Sequence, residues 1–257
     1  MPIPYTLNPL GISVWEELPL TFTAVEASTV KLNAMGSPTV SGLHYRLGTS
    51  GPWLAYTIGT EIPLSAGEIV QFWNSAETLS TSGSNYVQFA MTGQIAASGN
   101  IQSMLNYTEQ CSDYCFYQIM RGCTALVSAP MFPSLLLAQN CYNSALYGCS
   151  SLRNFPDLPA VTPAARCYWG MGRGCSSISK VKINLTYLNS QSCAYMLHSC
   201  TGLKEIEVSF SSWTNSDFTT YEWTNSITGS GTFIKPAALP EEYGPNRIPT
   251  GWTVVNK

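Results

Sequence analysis

The feature that most limits this chain is the placement of its cysteines. Cys115, Cys141, Cys167 and Cys193 stand 26 residues apart, and Cys123, Cys149, Cys175 and Cys200 follow at intervals of 26, 26 and 25. Eight of the nine cysteines fall into these two columns, and Cys111 lies outside them. A fixed period of this length marks a repeat architecture, in which each unit buries its apolar face on the next. Aligned, the units read "CFYQIMRGCTALVSAPMF", "CYNSALYGCSSLRNFPDL", "CYWGMGRGCSSISKVKIN" and "CAYMLHSCTGLKEIEVS".

Within a unit, positions i, i+4 and i+8 lie within roughly 80° of one another on a helix. Cys141, Ala145 and Cys149 therefore read as one inward helical stripe. Gly122, Gly148 and Gly174 stand where such a helix must stop, with Ser199 in that place in the last, shortened unit. A period-two stretch follows, with Leu152 and Phe155, then Ile178, Val181 and Ile183, then Leu203, Ile206 and Val208 as inward strand positions. Asp157 falls at an inward position and breaks the pattern. Helix, glycine, cysteine and a Leu-led strand form a leucine-rich-repeat layout. The segments "YGCSSL" and "RGCTAL", each followed by a proline-containing strand, resemble the BspA-like leucine-rich repeats of surface proteins from gut Bacteroidales and some of their bacteriophages. The resemblance covers residues 99–257, including the tail "GSGTFIKPAALPEEYGPNRIPTGWTVVNK" as that family's closing segment.

Three chemistries compete for the cysteines. Structural zinc needs CxxC pairs or a Cys/His mixture converging on one point, whereas these pairs are eight apart and the chain has two histidines. Disulfides leave one thiol over, and equivalent cysteines on adjacent helical coils stand too far apart. The remaining reading is small buried hydrophobes filling the interior of each unit. In "CSDYC", Cys111 and Cys115 share a helical face and keep a metal or redox alternative open.

The first hundred residues have another texture. "LPLTFTAV", "STVKLNAM", "GLHYRLG", "WLAYTIG", "GEIVQFWNSA" and "NYVQFAMTG" are six alternating strands separated by Gly, Ser and Pro turns. That spacing suggests an immunoglobulin-like or fibronectin-like sandwich over residues 18–98. "YRLGTSGPW" reads as a hairpin with Trp53 folded back on the sheet. The expected fold class is α+β and multidomain: an N-terminal immunoglobulin-like β-sandwich, then a short leucine-rich-repeat solenoid with its cap over 99–257. The break near residue 98 predicts that the solenoid keeps its fold alone. Residues 1–17 hold Pro2, Pro4, Pro9 and Gly11 among Ile3, Tyr5, Leu7 and Trp15, too apolar for a solvated tail. They read as an extended docking arm buried against another chain.

The charge balance excludes a phosphate-tracking role: 11% charged residues and a net charge of -3 give no basic field for nucleic acid. No apolar run is long enough for a membrane span, and the N-terminus does not read as a signal peptide. Catalytic signatures HExxH, GxSxG and the phosphate loop do not occur, so no enzyme and no cofactor are expected. "GMGRG" has the wrong spacing for a dinucleotide loop, and His44 and His198 read as structural. Outward strand positions form two columns: Ser128, Asn154, Lys180, Glu205, and Pro130, Pro156, Lys182, Glu207. With Arg153 and Lys204 they make a candidate face for protein or glycan, or an exposed ladder of Lys–Glu pairs. Tyr142, Tyr168, Trp169 and Tyr195 serve either as core or as rings that stack on sugars.

Two function classes follow, with the family resemblance carrying much of the weight. One is a non-enzymatic bacteriophage virion component, such as a fibre, tail or capsid-decorating protein, partnered by other virion proteins or by itself, with a trimer as first expectation. The other is a bacterial cell-surface adhesin. Reduced cysteines favour the virion, which assembles in the cytoplasm.

Overall fold

The computed structural model describes residues 18–213 and 218–257. The arm residues Ile3, Tyr5, Leu7 and Trp15 lie outside the described residues.

Alternating apolar residues build eight strands in the first part: β1 (Leu20–Ala24), β2 (Ser28–Met35), β3 (Leu43–Leu47), β4 (Leu54–Ala55), β5 (Glu61–Leu64), β6 (Ile69–Asn74), β7 (Tyr86–Thr92) and β8 (Ile95–Ser98). One sheet runs β4-β3-β6-β1-β8 and then continues into β9 (Leu126–Ser128); the other runs β5-β2-β7. Phe22 of β1, Phe72 of β6 and Phe89 of β7 meet edge to face at 4.9–6.0 Å and are buried. This β-layer packing is compatible in part with the immunoglobulin-like expectation. Sequence reading misses β5 and β8, which are four residues each. The β3–β4 hairpin forms, and Trp53 lies between the Arg46 guanidinium and Trp73.

The second part corrects the α+β expectation. Strands and isolated bridges hold 28% of the described residues and helix 2%. The only helix among the described residues is the 3-10 turn Ile101–Leu105, so the helical half of a leucine-rich repeat is not there. In its place each unit has a ribbon of consecutive turns in which every fourth residue is left-handed. These are Tyr114, Gln118 and Gly122, then Asn140, Ser144 and Gly148, then Arg166, Gly170 and Gly174, then Gln191, Tyr195 and Ser199. A left-handed residue ends an α-helix, and here one recurs before a second helical turn is complete.

Two interleaved sets of hydrogen bonds offset this backbone strain. Alternate N–H groups bond back within the ribbon, as Ile119 does to Phe116 (3.3 Å) and Ala145 to Tyr142 (3.2 Å). Those between them reach the next ribbon, as Phe116 does to Cys141 (3.0 Å), Tyr142 to Cys167 (3.1 Å) and Leu197 to Trp223 (2.9 Å). The chain thus stacks in tiers, each a turn ribbon followed by an extended segment. The extended segments β10 (Lys180–Ile183), β11 (Glu205–Val208), β12 (Thr232–Lys235) and β13 (Thr253–Asn256) form a parallel four-stranded sheet. The tier between β9 and β10 contributes no strand, since Pro156 and Pro159 cannot donate to a ladder. There Asp157 is exposed, not inward, and Leu158 takes the buried place.

The two parts share one core. β8 pairs in parallel with β9, Phe89 N–H donates to the Ile119 carbonyl (2.7 Å), and Met131 N–H donates to Gly99 (2.8 Å). The expected boundary at residue 98 therefore lies inside a hydrogen-bonded seam.

Candidate binding groove

Down the core, all nine cysteines are free and buried. In the second column each thiol donates to a carbonyl of the preceding tier or, at Cys123, of the sandwich: Cys123 to Phe89 (3.3 Å), Cys149 to Met120 (3.1 Å), Cys175 to Leu146 (3.1 Å) and Cys200 to Gly172 (3.0 Å). Cysteine suits this place because it is small, apolar and still carries a donor. Burial pushes Cys123, Cys167 and Cys175 up to about 12. At Cys111, hydrogen bonds with Cys115 and then Cys141 hold the thiol well below its ordinary value. Even so, no group of three His, Cys, Asp or Glu among the described residues is placed to hold a metal ion. Native protein should leave its thiols unreactive to a thiol reagent, while the denatured chain titrates nine and releases no zinc; any disulfide or stoichiometric metal contradicts this.

The predicted strand face is a ladder of its own pairs. Lys180 bonds Glu205 (2.5 Å), Lys182 bonds Glu207 (3.3 Å), and Lys257 also reaches Glu207 (2.7 Å). Burial works to raise Glu207, but the hydrogen bonds from Lys257 and Lys182 outweigh it and hold the carboxyl below its usual value. Arg153, Asn154 and Lys204 are exposed and take no part in the ladder. A face whose charges already satisfy one another has little left to offer a ligand.

The ribbon face is different. Between the first and second left-handed columns runs a column in which half-buried Tyr117, Trp169 and Tyr221 alternate with buried Asn143 and Ala194. Large rings thus alternate with small side chains from tier to tier, and the small ones open a groove of about 570 Å³. Arg166, Gln191 and Phe218, all in the first left-handed column, form its side, with Arg166 Nε donating to Gln191 Oε1 (2.7 Å). Tyr195 fills the space over Ala194, edge to face with Trp169 (5.1 Å) and Tyr221 (5.3 Å). At Asn143 the notch stays open, with a polar floor. Asn143 Nδ2 donates to Asn140 (2.8 Å), and Ser144 Oγ donates to Asn143 Oδ1 (2.9 Å).

The rings flanking this notch are fixed. Tyr117 packs edge to face on Tyr86 of the sandwich (5.0 Å), and Arg173 lies over Tyr195 (5.2 Å) and Tyr147 (5.4 Å). Of the four rings named from the sequence, Tyr142 and Tyr168 are core, stacked 6.1 Å apart, whereas Trp169 and Tyr195 line the groove. Sequence reading misses Tyr117, Asn143, Arg166, Gln191 and Tyr221. The signal for the first two was present: they share Trp169's column at 26-residue spacing.

Beside the groove, His198 Nδ1 meets Ser199 Oγ (2.8 Å) and Nε2 lies 3.8 Å from Glu222. The order is serine–histidine–acid, and the Ser199 and Cys200 N–H groups beside it are bonded to the Asn225 and Leu197 carbonyls. Burial and then Arg173 lower the His198 pKa. Among the described residues no helix is long and apolar enough to cross a membrane. Comparison of the chain with protein-family models, with curated proteins and with solved structures finds no match.

Proposed function

We propose that this protein is a non-enzymatic adhesion component of a bacteriophage particle, which presents the ribbon-face groove to a glycan or protein of the host surface. The observation that carries the reading is the groove: fixed rings on both sides of a polar notch, on a surface with a continuous hydrogen-bonded stack behind it. Preorganised aromatic surfaces of this kind give up little entropy on binding. The free, buried thiols support assembly in a reducing cytoplasm, and the repeat motif "GCSSL" supports the placement by its resemblance. The apolar residues Ile3, Tyr5, Leu7 and Trp15 supply the docking arm, by which the protein attaches to other virion proteins or to itself.

The test compares purified particles carrying wild-type protein, Trp169→Ala and a chain lacking residues 1–17. Wild type and Trp169→Ala should both be incorporated, with host attachment by Trp169→Ala weaker by about thirtyfold, as for a buried aromatic hot spot. The shortened chain should stay folded and fail to incorporate. If wild-type protein is missing from particles, or Trp169→Ala attaches normally, the reading fails.

A further inference from the structure

We infer that the groove takes an anionic polysaccharide, one sugar ring of which sits in the Asn143 notch between Tyr117 and Trp169. This rests on the reading of the groove as a binding surface and names its ligand class. Parallel backbone bonding sets neighbouring tiers about 5 Å apart, so Tyr117 and Trp169, two tiers apart, stand roughly 10 Å from each other. That gap admits one pyranose ring with a face against each aromatic wall. Asn143 forms the floor, where a sugar's hydroxyl edge would come to rest. The Asn143 amide bonds Asn140 and Ser144 through one donor and one acceptor site, which leaves one of each for a sugar hydroxyl. The same geometry matches a saccharide, apolar on its faces and polar around its rim.

The charge comes from the neighbouring columns. The three middle ribbons, residues 138–149, 164–175 and 189–200, carry Arg166 and Arg173 and no carboxylate, although the chain as a whole is at -3. Arg166 is exposed on the groove wall. Its Nε is engaged by Gln191, which turns the guanidinium's remaining donors outward to a carboxylate or sulfate on the sugar. With a face against each wall the ring's linkages leave at its rim, so the chain it belongs to crosses the stack.

The test uses full-length protein in titration calorimetry and affinity electrophoresis with polygalacturonate, its fully methyl-esterified form and dextran sulfate. Asn143→Tyr puts into the notch a residue already found in this column at 117 and 221, and gives up the bonds to Asn140 and Ser144. A thermal melt matching wild type checks that the tier is intact. Wild type should bind polygalacturonate or dextran sulfate, more weakly as salt rises, and should bind the esterified chain at least about tenfold less well. Asn143→Tyr should abolish binding, and Arg166→Ala should remove the preference for the charged chain. Failure of both anionic chains to bind, equal binding of the esterified chain, or full binding by Asn143→Tyr would overturn the inference. If the anionic chains fail while Trp169→Ala still loses host attachment, the ligand assignment falls and the groove's role in adhesion stands.

Discussion

A fragment of residues 99–257 is expected to show no cooperative unfolding transition and to be digested rapidly, whereas residues 18–257 should melt cooperatively. The reason lies in what the cut removes. Ile101, Met104 and Leu105 of the 3-10 turn are fully or almost fully buried. They pack on the sandwich, where Asn74 donates to the Met104 carbonyl (3.2 Å) and Ser103 accepts from Leu20 N–H (2.8 Å). Exposing three such side chains costs about 5–8 kcal/mol at the usual value per buried residue. That equals much of the 5–15 kcal/mol by which a typical domain is stable. The cut also leaves β9 and the first ribbon with unpaired edges, since Ile119 and Ala125 lose their partners Phe89 and Ile95. A stack of this kind needs a terminal cap, and the sandwich supplies it. Circular dichroism melts and limited proteolysis of the two fragments decide the matter; a cooperative melt of 99–257 would show that the tiers cap themselves.

The period and the interior were legible in the sequence because they are set by burial. Cys115, Cys141, Cys167 and Cys193 form one buried column, and Ile178, Val181 and Ile183 point inward as alternation required. The ribbon was not legible. Cys141, Ala145 and Cys149 recur every four residues, which one inward helical stripe and a turn ribbon satisfy equally over so short a span. What separates them is the left-handed residue at every fourth position, and only Gly122, Gly148, Gly170 and Gly174 announce it. Tyr114, Gln118, Asn140, Ser144 and Arg166 adopt the same conformation, held by bonds to the next tier that local propensity cannot foresee. The groove was illegible for a related reason. The 26-residue spacing of Tyr117, Asn143 and Trp169 is present, but their identities change from tyrosine to asparagine to tryptophan along one column, so no periodic apolar signal marks them.

The thiols inside the ribbon make stability depend steeply on alkaline pH. In the unfolded chain a cysteine deprotonates near its ordinary value of 9.0, while in the fold Cys123, Cys167 and Cys175 keep their protons to about 12. Between those values the folded state binds more protons than the unfolded state, so stability falls as pH rises. The contribution is complete below pH 9 and is lost as pH climbs toward 12. Each such thiol sets a slope of about 1.4 kcal/mol per pH unit, and the three together about 4 kcal/mol per unit. Against a stability of 5–15 kcal/mol, two or three pH units above 9 suffice to unfold the chain. Urea midpoints should therefore hold steady from pH 7 to 8.5 and fall sharply from 9.5 to 10.5. Cys175→Ala separates this effect from tyrosine and lysine titration. It leaves a small cavity and costs about 1–2 kcal/mol at pH 7, yet its stability should decline less steeply above pH 9, by about 1.4 kcal/mol per unit. Equal slopes for the variant and the wild type would mean that the Cys175 thiol ionises in the fold as readily as in the open chain. The hydrogen bond it donates to Leu146 (3.1 Å) makes that outcome unexpected, because a thiolate there would face a carbonyl oxygen with no proton between them.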